Sequence, residues 1–227
     1  MMMKTVKNAF LAAALAAFLV LPFVGGPAVV NVGAQTAATK VAYAPIPSGD
    51  YKLDPAHSLI GFAVRHLEIN WVEGRFKEFE GTIHYDDKDV TRSSVEFSAK
   101  VASVDTEVEA RDKHLRTADF FEVEKFPTMT FKSTRVERKG KDAYILHGDL
   151  TLKGVTKPVA LPFTIKGAVK DPWGNTRFGI AGETKINRRD FGVNYGNAFA
   201  GGLDVGNEVT ISLQLEAVKP EPKPAGR

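Results

Sequence analysis

From residue 59 onward the chain alternates dry and wet positions with a period of two. Ile60, Phe62 and Val64 alternate with Gly61, Ala63 and Arg65, and Val95, Phe97, Ala99 and Val101 with Glu96, Ser98 and Lys100. The same rhythm returns at Tyr144-Leu146-Gly148-Leu150-Leu152, Val159-Leu161-Phe163-Ile165, Phe178-Ile180-Gly182-Thr184-Ile186 and Val209-Ile211-Leu213-Leu215. Successive side chains of a strand point to opposite faces, so this pattern predicts strands with one buried face. Turn residues separate them: Asp86-Asp87, Lys139-Gly140-Lys141, Lys153-Gly154 and Asp171-Pro172-Trp173-Gly174-Asn175. Many short antiparallel strands with one dry face predict an all-β domain, either a sandwich or a closed barrel.

One stretch breaks the period. Between Thr106 and Phe121, Val108, Leu115 and Phe120 fall near helical spacing. Asp105 or Thr106 is placed to cap a helix start, with Glu107 and Glu109 suited to its first turn and Asp119 to a second short turn. A short helical insertion around 106–124 is therefore expected, lying across or along the barrel.

The ends differ from the body. Residues 1–34 carry Lys4 and Lys7, no acid, and an apolar run from Ala9 to Val24. They read as a secretory signal peptide cut after Ala34, with a periplasmic or secreted product. The run is short of the ~20 residues that span a bilayer. Residues 35–49 read as a linker, 50–218 as the domain, and 219–227 as a Pro-rich tail. The formal charge of +3 falls to about +1 once the leader is removed, so no nucleic-acid footprint remains. There is no cysteine, so the core must hold the exported fold without disulfides.

Candidate chemistry is sparse. The histidines, His57, His66, His84, His114 and His147, include no pair at zinc-binding spacing. No Gly-x-Ser-x-Gly elbow or phosphate loop is present, so no catalytic residue is assigned. The densest cluster, Arg111, Asp112 and His114, reads with Arg189 and Asp190 as a set of polar anchors near the mouth of a barrel. The apolar faces either fill a core or line a cavity, and small residues at Ala99, Gly148 and Gly182 favour a cavity.

The segments YKLDPAHSLIGFAVRH (51–66), GRFKEFEGTI (74–83), SVDTEVEARDKHLRTADFFEVEKFPTMTF (103–131), HGDLTLKGVTKPVAL (147–161) and INRRDFGV (186–193) closely resemble the YceI family in order and spacing. The resemblance implies an extended eight-stranded antiparallel barrel of lipocalin-like form, often dimeric. It also implies a bound polyisoprenoid lipid, such as an isoprenoid quinone or polyprenol tail, in place of a cofactor. Parity along the strands then gives the candidate lining: Phe62, Val64, Phe97, Val101, Met129, Phe131, Leu150, Leu152, Leu161, Phe163, Ile165, Phe178 and Ile180. Phe120 and Phe121 are placed to close one end.

Burying a methylene contributes about 0.8 kcal/mol, so one isoprene unit is worth roughly 3–4 kcal/mol. Eight units would exceed the ceiling of about 20 kcal/mol for non-covalent binding, so tail length should be selected by pocket depth. The reading is of a lipid carrier or store that is not an enzyme and that makes transient contact with a membrane. Two rivals stay open: a barrel enzyme using Arg111, Asp112 and His114, and a filled-core structural or stress module.

Overall fold

The structure, a computed structural model, describes residues 43–219. The segments read as a signal peptide, as the first part of the linker and as the tail beyond Lys219 lie outside these residues. In chain order the strands are β1 (Gly49–Leu53), β2 (Leu59–His66), β3 (Asn70–Phe76), β4 (Phe79–Tyr85), β5 (Ser94–Lys100), β6 (Val104–Asp105), β7 (Thr128–Arg138), β8 (Ala143–Leu152), β9 (Val155–Lys170), β10 (Thr176–Asn187), β11 (Ala198–Phe199), β12 (Gly202–Leu203) and β13 (Val205–Lys219). The helix α1 covers Glu109–Leu115.

Eight strands form the barrel, in the order β1-β4-β5-β7-β8-β9-β10-β13, and all pairings are antiparallel. The ring shuts where β1 meets the end of β13, through Lys52↔Val218 and Leu53↔Ala217. The first half of β13 instead pairs with β2, which continues into β3 and β6. One long strand thus serves both the closed ring and a three-strand extension. Turn chemistry sets the register of the hairpins. Lys153 and Gly154 adopt φ of 50° and 73° between β8 and β9, and the Asp171 carboxylate accepts from the N–H groups of Trp173 and Asn175 before β10.

The period-two reading places the dry faces inward as expected. Tyr51, Leu53, Ile83, Phe178 and Ala217 pack beneath the closing seam. The edge-to-face contact of Tyr51 with Phe178, centroids 4.8 Å apart, lies at its middle. Two expectations need correction. Within the segment read as a linker, residues 43–49 are docked: Ile46 is buried, and Ala44 forms a bridge with Ala168. An apolar side chain immediately before Pro47-Ser48-Gly49 is enough to anchor them.

The small residues do not leave room for the cavity either. A Cβ at Gly148 would lie 2.6 Å from the Lys132 carbonyl and would collide with the Phe131 ring, which occupies that space. Gly182 lets the Pro162 carbonyl approach, and Ala99 is buried in the core. These positions admit neighbouring groups, not ligand.

Outside the seam, Arg177 bonds Asp54 at 2.6 Å, Asp171 at 2.7 Å and Glu216, tying β10 and β13 to the segment after β1. Hydrogen bonds from His57 and Arg177 outweigh burial and hold Asp54 at a pKa of about 2. Burial pushes Asp171 up, but donors from Arg177, Asn175 and Trp173 prevail and leave it also at about 2. Both carboxylates are depressed from 3.8, so their stabilisation is complete above that pH and is lost as pH falls toward 2. Urea midpoints measured from pH 5 to pH 2 should drop across this window, and Arg177→Gln should flatten part of the drop.

Candidate functional site: the barrel interior

The inward side chains enclose a cavity of about 240 Å³. Its wall is almost wholly apolar. Strand parity explains the lining: β2 supplies Ile60, Phe62 and Val64, β9 supplies Val159, Leu161, Phe163 and Ile165, and β13 supplies Val209, Ile211, Leu213 and Leu215. Phe163 stacks on Tyr144, with centroids 5.4 Å apart. The inward positions of β10 run from Phe178 to Ile186, roughly 26 Å along the strand at about 3.3 Å per residue, and Arg188 follows in the turn after it. The interior is therefore long and narrow.

Of the residues expected to line it, Phe62, Val64, Phe97, Met129, Phe131, Leu150, Leu152, Leu161, Phe163, Ile165, Phe178 and Ile180 do so. Phe120 and Phe121, from the inserted segment, also face the cavity. Val101 does not. The strand ends at Lys100, and Val101 begins a short 3-10 turn, so parity no longer applies; its side chain is buried in the surrounding core with Val104.

The inserted segment is shorter than expected. Residue 108 occupies the cap position of α1, and no side chain caps it. Thr106 is engaged elsewhere: its N–H and hydroxyl both donate to Asp112 Oδ1, at 2.9 and 2.6 Å. Asp105 accepts from the Glu107 N–H in a tight turn. Arg111 donates to the Thr106 hydroxyl and carbonyl. Arg111 and Asp112 thus meet on Thr106 and pin α1 to β6.

His114 pairs with Asp119 at 2.8 Å, which takes that carboxylate from any capping role. The His114 ring packs edge-on against Phe120 and Tyr195. It stands behind Phe120, one layer outside the lining. The cluster is a structural clasp around the segment that carries Phe120 and Phe121. Asp112→Ala leaves the Thr106 donors without their acceptor in a buried place, which should cost about 1–3 kcal/mol in chemical denaturation.

The second expected pair is also displaced. Arg189 is exposed and donates to Asn207 Oδ1 at 2.7 Å; Asp190 is exposed. Arg188 is the residue that enters the interior. It is buried, and it lines the cavity. Its Nε donates to the Gly206 carbonyl at 2.7 Å, Nη1 to Val193 at 2.8 Å, and Nη2 to Val205 at 2.9 Å and Asn207 Oδ1 at 3.4 Å. Burial pushes the guanidinium below its ordinary pKa, and the neighbouring Arg189 adds to this while Asp204 opposes it. The group nevertheless stays charged. Sequence alone could not separate Arg188 from Arg189 by type. Extending the inward series Phe178, Ile180, Thr184, Ile186 one step past the end of β10 reaches Arg188, although the same step fails at Val101.

Among the described residues one trio of potential metal donors meets on the outside, Asp54, His57 and Glu216. Arg177 already bonds both carboxylates, so a cation there would face a fixed positive charge.

A closed antiparallel barrel around a dry, elongated interior, with its reactive-looking polar groups turned outward, defines a ligand-binding barrel. The YceI-like domain model matches residues 51–217, and the chain belongs to this family. It is similar to protein YceI of Escherichia coli, 44% identical over 177 residues covering 76% of this chain and 88% of that protein. The crystal structure of BcnA from Burkholderia cenocepacia has a TM-score of 0.64 and 26% identity, covering 72% of this chain and 98% of that one. A polyisoprenoid-binding domain from Saccharophagus degradans, implicated in plant cell wall breakdown, has a TM-score of 0.57 at 17% identity, over 75% of this chain and 98% of that one. This last likeness bears on fold alone.

Proposed function

We propose that the protein is an exported carrier or store for a polyisoprenoid lipid, such as an isoprenoid quinone or polyprenol, and not an enzyme. The observation that carries this reading is the continuous apolar wall of the cavity, which fits a long hydrocarbon chain and offers water nothing to bond. The Saccharophagus degradans domain that shares this fold is a polyisoprenoid-binding domain. The leader at residues 1–34 supports export. The placement of His114 behind Phe120 weighs against the Arg111, Asp112 and His114 cluster as a catalytic centre.

The cavity volume limits what fits. At about 30 Å³ for each packed water-sized group, 240 Å³ holds about eight carbon-sized groups, or between one and two isoprene units. A longer tail would have to widen the barrel or extend beyond it. Pick-up from a membrane has a structural counterpart in two adjacent hairpin tips. Leu67, Ile69 and Trp71 on one and Phe199 on the other are exposed, and the Leu67 N–H donates to Asp204 beside the second tip. Apolar and aromatic tips of this kind suit brief insertion among head groups.

The test is to express the whole chain in a Gram-negative host, purify the exported protein without detergent and extract it for lipid mass spectrometry. A prenyl lipid at near one per chain is expected. Repeated recovery of lipid-free protein that also takes up no added quinone or polyprenol would refute the reading.

A further inference from the structure

The two ends of the cavity are closed by different kinds of structure. At the Phe178 end, Tyr51, Ile46 and Ala217 pack beneath the seam where β1 meets β13. At the other end the closure is a loop, residues 192–204, and its two roots, Val193 and Val205, both line the cavity. Arg188 ties the roots together, donating to the carbonyls of Val193, Val205 and Gly206. Tyr195 packs on Phe120, centroids 4.6 Å apart, so the loop also leans on the inserted segment. That segment is well fastened: Arg116 holds the Ala102 and Val104 carbonyls, and Lys153 holds Ala118. The loop is not. Its outer part, β11 and β12, is a two-stranded sheet apart from the ring, and among the described residues Ala198–Leu203 hydrogen-bond only with each other. Gly192 and Gly196, at φ of 73° and 124°, give the first root turns that suit glycine. The surface of the loop is also distinctive. In a chain that is 25% charged, no charged side chain occurs from Phe191 to Leu203. Phe199 is exposed at its tip, beside the exposed Leu67, Ile69 and Trp71 of the β2–β3 tip. The nearby charges flank these side chains: Arg65 lies over the Trp71 ring, and Glu68 lies against Gly202.

From this geometry we propose that residues 192–204 are the gate of the cavity and that a lipid bilayer opens it. Phe199 enters the bilayer surface beside Ile69 and Trp71, the loop turns on its glycines, and Val193 and Tyr195 are drawn away from Phe120. The inference rests on the lipid-binding reading above and gives it an entrance and a trigger. The closed cavity takes only part of a polyisoprenoid chain, so a longer one needs an end that opens, and bilayers are where such chains reside. A loop outside the strand ladder opens at lower cost than the ladder itself. Arg188 then has a plain purpose: its donors, turned to the loop carbonyls, draw both roots back to the closed position. An uncharged tip gives up no ionic hydration on entering lipid, so docking should need no anionic head group and should be little affected by salt.

The experiment follows the transfer of geranylgeraniol, a prenyl alcohol longer than the closed cavity holds, from phosphatidylcholine vesicles to the whole protein stripped of lipid. Phe199→Ser combined with Ile69→Ser should slow transfer by about tenfold or more and leave the final loading unchanged, because these side chains enter the bilayer only during pick-up. Tyr195→Ala should act in the opposite direction, speeding uptake and release severalfold while amide exchange in β9 stays as in the wild type. In the wild-type protein, vesicles of phosphatidylcholine alone should speed amide exchange at Val193 and Val205, a readout that needs no variant. Transfer rates that ignore either set of substitutions, or exchange at Val193 and Val205 that ignores the vesicles, overturn the gate but leave lipid binding standing. A tip variant that turns a dimer into a monomer and keeps the wild-type transfer rate shows the tips to be a contact between copies of this chain, and overturns the gate too. Wild-type protein that takes up no geranylgeraniol, even when it is added without vesicles, removes the lipid reading and this inference with it.

Discussion

Phe163→Asp should abolish lipid loading and lower stability by at least about 3 kcal/mol, the loss expected when a buried aromatic ring is removed from a core. The ring faces the cavity and stacks on Tyr144. An aspartate in its place would bury a carboxylate in a wall with no donor to receive it, which adds to the cost. The informative control is the next residue. Thr164 is exposed on the outer face, so Thr164→Asp should move the denaturation midpoint little and leave the bound lipid unchanged. One-residue spacing thus separates a lethal change from a silent one, as strand parity requires. Equal behaviour of the two variants would mean that β9 has its register reversed.

Tyr51→Ala should destabilise the protein by about 3–5 kcal/mol, again on the scale of a deleted core aromatic. Tyr51 is fully buried, packs edge-on against Phe178, and donates its hydroxyl to the Pro47 carbonyl at 2.7 Å. It sits under the short seam that shuts the ring. Its loss should therefore do more than open a hole, since β1 holds β13 through only a pair of residue partnerships. Amide hydrogen exchange at Lys52, Leu53 and Val218 should accelerate more than exchange in β9. Tyr51→Phe keeps the ring and removes the Pro47 hydrogen bond, and should cost about 0.5–1.5 kcal/mol. If Tyr51→Ala were no worse than Tyr51→Phe, the seam would not depend on this packing.

The strands and the inward faces were legible in the sequence because alternation is a local property, and a closed barrel converts it directly into inside and outside. Wherever the alternation stopped, so did legibility. Val101 looks like the next inward position after Ala99, but the chain turns at Lys100. Gly148 looks like empty space, but its missing side chain is where the Phe131 ring rests, a fact about a neighbouring strand. Asp112 and His114 look like a catalytic pair, yet their partners, Thr106 and Asp119, turn them into fastenings. Arg188 and Arg189 are chemically identical, and burial of one depends on the last residues of β10 keeping their parity into the following turn. Ile46 was hidden by its surroundings, because small and proline-bearing composition describes both free linkers and docked ones.

The dual use of β13 fixes an order of events. This strand pairs with β10 along its length, with β2 by its first half and with β1 by its end, and it lays Val209, Ile211, Leu213 and Leu215 along the interior. It is also the final strand of the domain. Until it emerges from the ribosome, β1 and β2 lack their shared neighbour and the interior lacks a wall. Pairing Lys52 with Val218 joins the two ends of the domain, the kind of distant contact that slows folding. A nascent chain therefore has no compartment in which to hold a lipid, and cargo can be taken up only by the finished molecule. Ribosome-stalled or truncated chains ending before Val205 should carry none.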